Sequence, residues 1–247
     1  MKRTAALAAS AFSVAVLLTG LTACGSGDSE TDATDRPGAG ATASKAEKTT
    51  PAERLSKLMI TTSEAGGGDE VGKLSTEYAF AKSQEEVTVD KKACAPLAYA
   101  LNQLPLGGTT ADVTRTVSKE GLSGDVTYVT LNAYADGGAE SAMADLSEAV
   151  SSCGAGFTAE AKGNSSPYDS VAAEQTDKAG EAGDESLAFK STMTVQGTTH
   201  TMHSAAVRDG DVVAVYFAVN GRAIAEGRPS DTKLAAKVME TQNAKLG

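Results

Sequence analysis

The chain has 247 residues, 32 of them acidic and 22 basic, for a formal charge of −10 at pH 7; only 4% are aromatic and none is Trp. An acidic surface of this size repels phosphate backbones and anionic headgroups alike, which argues against nucleic acid as a partner. With so few aromatic rings, stacking platforms and an aromatic carbohydrate cleft are poorly supplied.

In chain order, Lys2 and Arg3 give a positive start. An uncharged run of mostly Ala, Val and Leu follows from Ala5 to Leu18, and Leu21-Thr22-Ala23-Cys24 comes at once. A charged start, an apolar stretch too short to span a bilayer and small residues before a cleavage point read as an export signal over residues 1–23, not a transmembrane helix. The four residues ending in Cys24 resemble a bacterial lipobox. That resemblance implies a mature chain beginning at Cys24, which carries a thioether-linked diacylglycerol and an acylated amine; the alternative is a secreted protein with unmodified Cys24. Several acyl chains each bury many methylenes at about 0.8 kcal/mol per methylene, so such an anchor would be effectively permanent. The membrane is thus an expected partner, through Cys24. Loss of Lys2 and Arg3 with the signal leaves the mature chain two units more negative.

Residues 24–50 are the lipidated Cys and a tether of Gly, Ser, Thr, Ala and Asp without a large apolar residue. Such a segment cannot bury enough surface to offset its ordering entropy, and its ends stand roughly 25–30 Å apart on average. Residues 51–247 then form one extracytoplasmic domain.

Pro51 opens a helix with Leu55, Leu58 and Met59 at helical spacing, fading by Ser63 and stopped by Gly66-Gly67-Gly68. Strands are expected at Leu74 to Ala81 and Glu86 to Asp90. A helix with Cys94 in its first turn carries Leu97, Leu101 and Leu104 and ends at Pro105. Val113, Arg115 and Val117 alternate, a turn spans Gly121 to Asp125, and Val126 to Tyr134 completes a hairpin. The strongest helical pattern runs through Ala139, Ala142, Met143, Leu146, Ala149, Val150 and Cys153, with Gly154 as its stop. Tyr168 to Thr176 is a weaker strand. Three strands then form a meander, turning at Gly197 and at Asp209-Gly210, where the dipeptide suits a type I′ turn. The first turning strand carries Leu187, Phe189, Met193 and Val195; the last places Val213, Val215, Phe217 and Val219 on one face, which a terminal helix with Leu234, Ala235, Val238 and Met239 can cover. Hairpins without βαβ crossovers predict an α+β fold with a mainly antiparallel sheet and helices packed against it.

Of the three cysteines, Cys24 goes to lipid, leaving Cys94 and Cys153 in an oxidising compartment. Their pairing is the expectation, with two free buried thiols as the alternative. A disulfide would pin the first turn of one helix to the last turn of the next, on one side of the sheet.

The remaining motifs carry little chemistry. Gly67 to Lys73 matches P-loop spacing but is followed by Leu74 where Ser or Thr should hold magnesium. His200 and His203 are three apart on a strand, which puts them on opposite faces and makes them structural rather than metal ligands; the hairpin count sets His203 opposite Tyr216 and His200 on the face of Val215 and Val219. Gly121-Leu122-Ser123-Gly124 lacks a nucleophile elbow's spacing. Asp177, Glu181, Asp184 and Glu185 form an acidic loop that misses the EF-hand pattern. No catalytic, cofactor or metal residue is named, and no cofactor is expected.

A lipobox, a low-complexity tether, Cys94-Ala95-Pro96-Leu97 opening a helix, an amphipathic helix ending in Cys153, and Gly183-Asp184-Glu185-Ser186 before a meander resemble a group of actinobacterial, Streptomyces-like lipoproteins. The layout over residues 51–247 is similar to the extracellular sensor domain of mycobacterial membrane-anchored serine/threonine kinases. That resemblance implies an α+β domain with a cleft, ligand sensing and no established catalytic residues. The kinase domains carry a second disulfide, for which this chain has no cysteines.

The expected function is therefore a non-enzymatic, lipid-anchored domain on the extracellular side of the cell membrane, binding a small ligand or an envelope component in a sensor-like role. Two other classes stay open. One is an envelope hydrolase with Asp184 and Glu185 as acid and base. The other is a structural lipoprotein that docks a partner.

Overall fold

Every residue from Val212 to Ala218 is buried, so neither face of this stretch meets solvent and helices must cover both. The computed structural model describes residues 49–75, 77, 79–175 and 182–247. The export signal, Cys24, most of the tether, and Asp177 and Glu181 lie outside these residues.

Helices α1 (Pro51–Leu58) and α2 (Thr62–Ala65) lead to strands β1 (Glu70–Lys73) and β2 (Thr88–Val89). Helix α3 (Ala95–Leu101) precedes a hairpin of β3 (Ala111–Ser118) and β4 (Asp125–Ala133). After α4 (Gly138–Ser152) come β5 (Phe157–Ala161), β6 (Asn164–Tyr168) and β7 (Ser170–Glu174), then the meander β8 (Glu185–Val195), β9 (Thr198–Asp209) and β10 (Val212–Asn220). Helix α5 (Gly221–Ala225), strand β11 (Ser230–Thr232) and helix α6 (Ala236–Asn243) follow. The large sheet has the order β1-β3-β4-β10-β9-β8-β7; β11 pairs with β9, and β2-β5-β6 form a small second sheet. Every pairing is antiparallel except that of β11 with His200, Thr201 and Met202 of β9. The fold is α+β, as expected.

Side-chain alternation divides the core in two. On one face Val213, Val215 and Phe217 pack with Met202, Ala206 and Phe189 against Leu97 and Leu101 of α3 and Met143 and Leu146 of α4. On the other, Val212, Ala214 and Tyr216 pack with Val129 and Leu131 against Leu55 of α1 and Val238 and Met239 of α6. Gln242 ties the two outer helices together: its Oε1 accepts from the Ile60 amide at 2.8 Å and its Nε2 donates to the Leu58 carbonyl at 2.9 Å. Thr50 and Glu53 close a capping box at the start of α1.

Cys94 and Cys153 form a disulfide, with Cα atoms 5.9 Å apart. Cys94 immediately precedes α3 and Cys153 immediately follows α4. Both helices lie on one side of the sheet, so the bond clamps them as the cysteine count anticipated.

Several elements differ from the expectations. The first strand is Glu70–Lys73, upstream of Leu74 to Ala81, because Val71 and its neighbours pair with Arg115 to Ser118. This puts Gly72 and Lys73 of the P-loop-like segment in an edge strand. The expected strand from Glu86 shrinks to Thr88–Val89 behind a 3-10 turn at Gln84–Glu86. Helix α3 stops before Leu104, where Asn102 Nδ2 donates to the Ala98 carbonyl at 2.7 Å. The Tyr168 to Thr176 strand is two: β6 ends at Tyr168 in the small sheet, and β7 starts at Ser170 in the large one. Helix α6 covers Val212, Ala214 and Tyr216, not Val213, Val215 and Phe217, since β10 is apolar on both faces. At the last hairpin Asp209 pairs with Val212, so Gly210-Asp211 is the loop. Gly210 alone has positive φ there, at 54°, which is the requirement of a type II′ turn and not of type I′.

Candidate functional site

Three chain reversals meet at the end of the large sheet where β3, β4 and β10 have their turn. The β3–β4 connection brings Lys119, Glu120 and Ser123; the end of β10 and α5 bring Asn220 and Arg222; the stretch on either side of β11 brings Arg228 and Lys233. Val117, Thr127, Ala235 and Val238 are also among the residues that line a cleft of about 600 Å³, with Asp125 at the start of β4 and Asp69 at its β1 side. This volume lies in the range that holds a small ligand. Val117, Thr127 and Val238 are buried, so the floor is firm, while Lys119, Glu120, Arg222, Arg228 and Lys233 stand at the exposed rim and Asp69 is half-buried.

The rim charges are partly paired. Arg222 lies 3.6 Å from Glu120, and Arg228 Nε donates to Glu226 at 2.7 Å. Asn220 Nδ2 donates to Asp125 at 2.7 Å, and Asn220 Oδ1 caps α5 by accepting from the Ala223 amide. Lys233 connects the rim to a buried histidine. His203 Nδ1 is 2.5 Å from Glu174 Oε2; its Nε2 is 2.7 Å from Asp231 Oδ1 and 2.8 Å from Lys233 Nζ. With Nδ1–H donated to Glu174, Nε2 accepts from Lys233 when unprotonated and donates to Asp231 when it carries a proton; it cannot do both. The His203 hydrogen bond holds the Asp231 carboxyl below the usual carboxylate range, with Lys233 adding to it. This cluster joins β7, β9 and β11.

The residues singled out in the sequence are placed as follows. His200 and His203 fall on opposite faces of β9; Ala205, not His203, is opposite Tyr216, because the loop lies one residue later than counted. His200 is fully buried, with Nδ1 3.0 Å from Ser230 Oγ. Glu174 and Asp231 occupy opposite ring nitrogens of His203, so they do not converge on one ion, and among the described residues no three His, Cys, Asp or Glu side chains are grouped to hold a metal. Asp184 and Glu185 both belong to Arg208, at 2.9 and 3.4 Å, and Asp184 Oδ2 also accepts from the Gly210 amide. They brace the β9–β10 turn. Ser123 sits in a 3-10 turn between two strands, and no helix follows it as a nucleophile elbow would need.

None of the cleft's basic residues was singled out from the sequence, and Asp69 was met only inside the P-loop-like stretch Gly67 to Lys73. A signal existed: Arg222, Arg228 and Lys233 are three cations within one short stretch of an acidic chain.

No family model and no curated protein matches this chain. Its architecture does have a counterpart among solved structures, the extracellular domain of PknH from Mycobacterium tuberculosis, with a TM-score of 0.53 over 81% of this chain and 95% of that one. The two share a fold. Sequence identity with the PknH domain is 16%, so the likeness concerns the backbone path and not particular side chains. An uncharacterised protein from Mycobacterium smegmatis also aligns, over 78% of this chain and 95% of that one, at 13% identity and a TM-score of 0.35. Among the described residues no helix is long and apolar enough to cross a membrane.

Proposed function

We propose that this chain is a non-enzymatic, sensor-like domain that binds a small ligand in the cleft between the β3–β4 connection, α5 and α6, and that lipid on Cys24 holds it at the extracellular side of the cell membrane. The observation that carries the reading is the cleft itself: a concavity of about 600 Å³ over buried Val117, Thr127 and Val238, on which charged and amide side chains converge from separate segments. The fold likeness to the extracellular domain of PknH supports an extracytoplasmic setting. The hydrolase alternative loses its named residues, since Asp184 and Glu185 share the guanidinium of Arg208 and do not face each other across a gap, as a pair acting on a substrate must.

Thermal-shift screening of the full-length protein against small envelope metabolites tests the binding claim. A ligand at one hundred times its Kd raises stability by about 2.7 kcal/mol, or roughly 5–10 °C in Tm at this size. The shift should shrink in Arg228→Ala, whose side chain is exposed. A broad library without any shift, or a shift indifferent to cleft substitutions, overturns the reading. For the anchor, Cys24→Ala should release the protein or leave it unprocessed; membrane fractionation at the normal mature mass would refute lipidation.

A further inference from the structure

The charges around the cleft are nearly balanced, four basic and three acidic, and most already have partners. Arg222 is taken by Glu120, Arg228 by Glu226, and Lys233 by Asp231 and His203. Asp125 accepts from Asn220. Lys119 and Asp69 alone have no side-chain partner among the described residues. They flank the last pair of the β1–β3 ladder, Glu70 with Ser118, Asp69 entering β1 and Lys119 leaving β3, and both line the cleft. What the site still lacks is therefore one cation and one anion, facing residues that adjoin one end of the same two-strand ladder.

We propose that the cleft binds a free α-amino acid with an apolar side chain, its ammonium taken by Asp69, its carboxylate by Lys119, and its side chain lying over Val117, Ala235 and Val238. An α-amino acid carries its two charges on one carbon, which matches opposite charges at one end of the same ladder; a simple anion or cation satisfies only one of them. The chain's formal charge of −10 works in the same direction. Its field resists the approach of a free anion, whereas a zwitterion has no net charge to repel. This inference rests on the ligand-binding reading of the cleft.

Four probes of one shape separate the possibilities: L-leucine, N-acetyl-L-leucine, L-leucinamide and N-acetyl-L-leucinamide, titrated into ¹⁵N-labelled full-length protein and followed by NMR. Leucine should move the amide signals around Lys119 and Asp69. Each single block should weaken binding about tenfold or more, the loss of one charge-assisted hydrogen bond. Lys119→Gln should weaken leucine by the same factor and leave leucinamide unchanged; Asp69→Asn should weaken leucine and leave N-acetylleucine unchanged. Neither residue holds another side chain, so both variants should fold as the parent does. N-acetylleucine binding as tightly as leucine, or no response to leucine at all, overturns the proposal. If another compound of the metabolite screen still perturbs the cleft, ligand binding stands and only the amino-acid assignment fails; if none does, both fail.

Discussion

Replacing Cys94 and Cys153 together by alanine should destabilise the domain by about 4–5 kcal/mol. The bond spans 59 residues, and closing a loop of that length removes about 4 kcal/mol of chain entropy from the unfolded state. Both sulfurs are buried, at 0% and 1% exposure, and their loss adds a cavity cost of roughly 1 kcal/mol. For a domain of this size the sum corresponds to a fall of about 10–20 °C in Tm. The loop encloses α3, β3, β4 and α4, whose Leu97, Leu101, Met143 and Leu146 still share one cluster without the bond, so the variant should keep its native circular dichroism at low temperature. Urea unfolding supplies the decisive reading. Freed from the crosslink, the unfolded chain expands, so the m-value should rise while the midpoint falls. The reduced wild-type protein should behave nearly the same. A double variant within about 1 kcal/mol of wild type, with its m-value unchanged, would show that the bond does not constrain the unfolded chain as reasoned.

Three further outcomes are expected. Leu146→Ala, at a fully buried position between α4 and the sheet, should cost about 2–5 kcal/mol in urea unfolding. Gly156→Ala should prevent soluble accumulation or cost about 3 kcal/mol or more, because Gly156 has φ of 76° and a Cβ there would overlap the carbonyl oxygen of Tyr168; expression level and Tm measure it. Acid should weaken the fold through its paired carboxylates. Hydrogen bonds from Lys245, then Thr61, lower Glu64 to about 2, and Arg54 lowers Asp211. Folded values below the unfolded ones mean this stability is fully present above about pH 5 and is lost as pH falls toward 2. Glu64→Gln should flatten the slope of the urea midpoint against pH in that window.

What could be read from the sequence was whatever local periodicity decides. The α4 stripe, the β3–β4 hairpin and the β8–β10 meander are patterned locally, and each stands where the pattern puts it, with only the β9–β10 turn one residue late. Cysteine parity found the clamp between α3 and α4. Strand β1 was missed because its stability comes from pairing with Arg115 to Ser118, not from its own residues Glu70-Val71-Gly72-Lys73. The β5–β6 hairpin hid for a related reason: Asn164 to Pro167 are mostly exposed, so only Phe157 and Tyr168, stacked with ring centroids 4.8 Å apart, mark its ends. Strand β10 misled the placement of α6 because alternation has no preferred side when Val212, Ala214 and Tyr216 are as apolar as Val213, Val215 and Phe217. The cleft was illegible for a tertiary reason. Lys119 and Asp69 reach the same cleft only through the pairing of β1 with β3, and Arg222, Arg228 and Lys233 reach the same rim only once the segment after β10 has folded back.

That folding back follows from a mismatch of strand lengths. Strand β9 runs for twelve residues, but β10 pairs only with its Ser204 to Asp209 half before continuing beside β4. The unpaired edge at His200 to Met202 is the kind of open ladder that invites another strand, and β11 fills it in parallel. Strand β11 runs parallel to β9 and therefore opposite to β10, so Gly221 to Pro229 reverses the chain at the end of the sheet, and Arg222 of α5 and Arg228 after it line the same cleft as Lys119, Glu120 and Ser123 of the β3–β4 connection. His203 bonds Glu174 on β7 through one ring nitrogen and, through the other, either Asp231 on β11 or Lys233 just after it, so either contact ties the β11 segment to β9. Three of the cleft's rim charges, Arg222, Arg228 and Lys233, thus sit on the segment that closes the β9 edge.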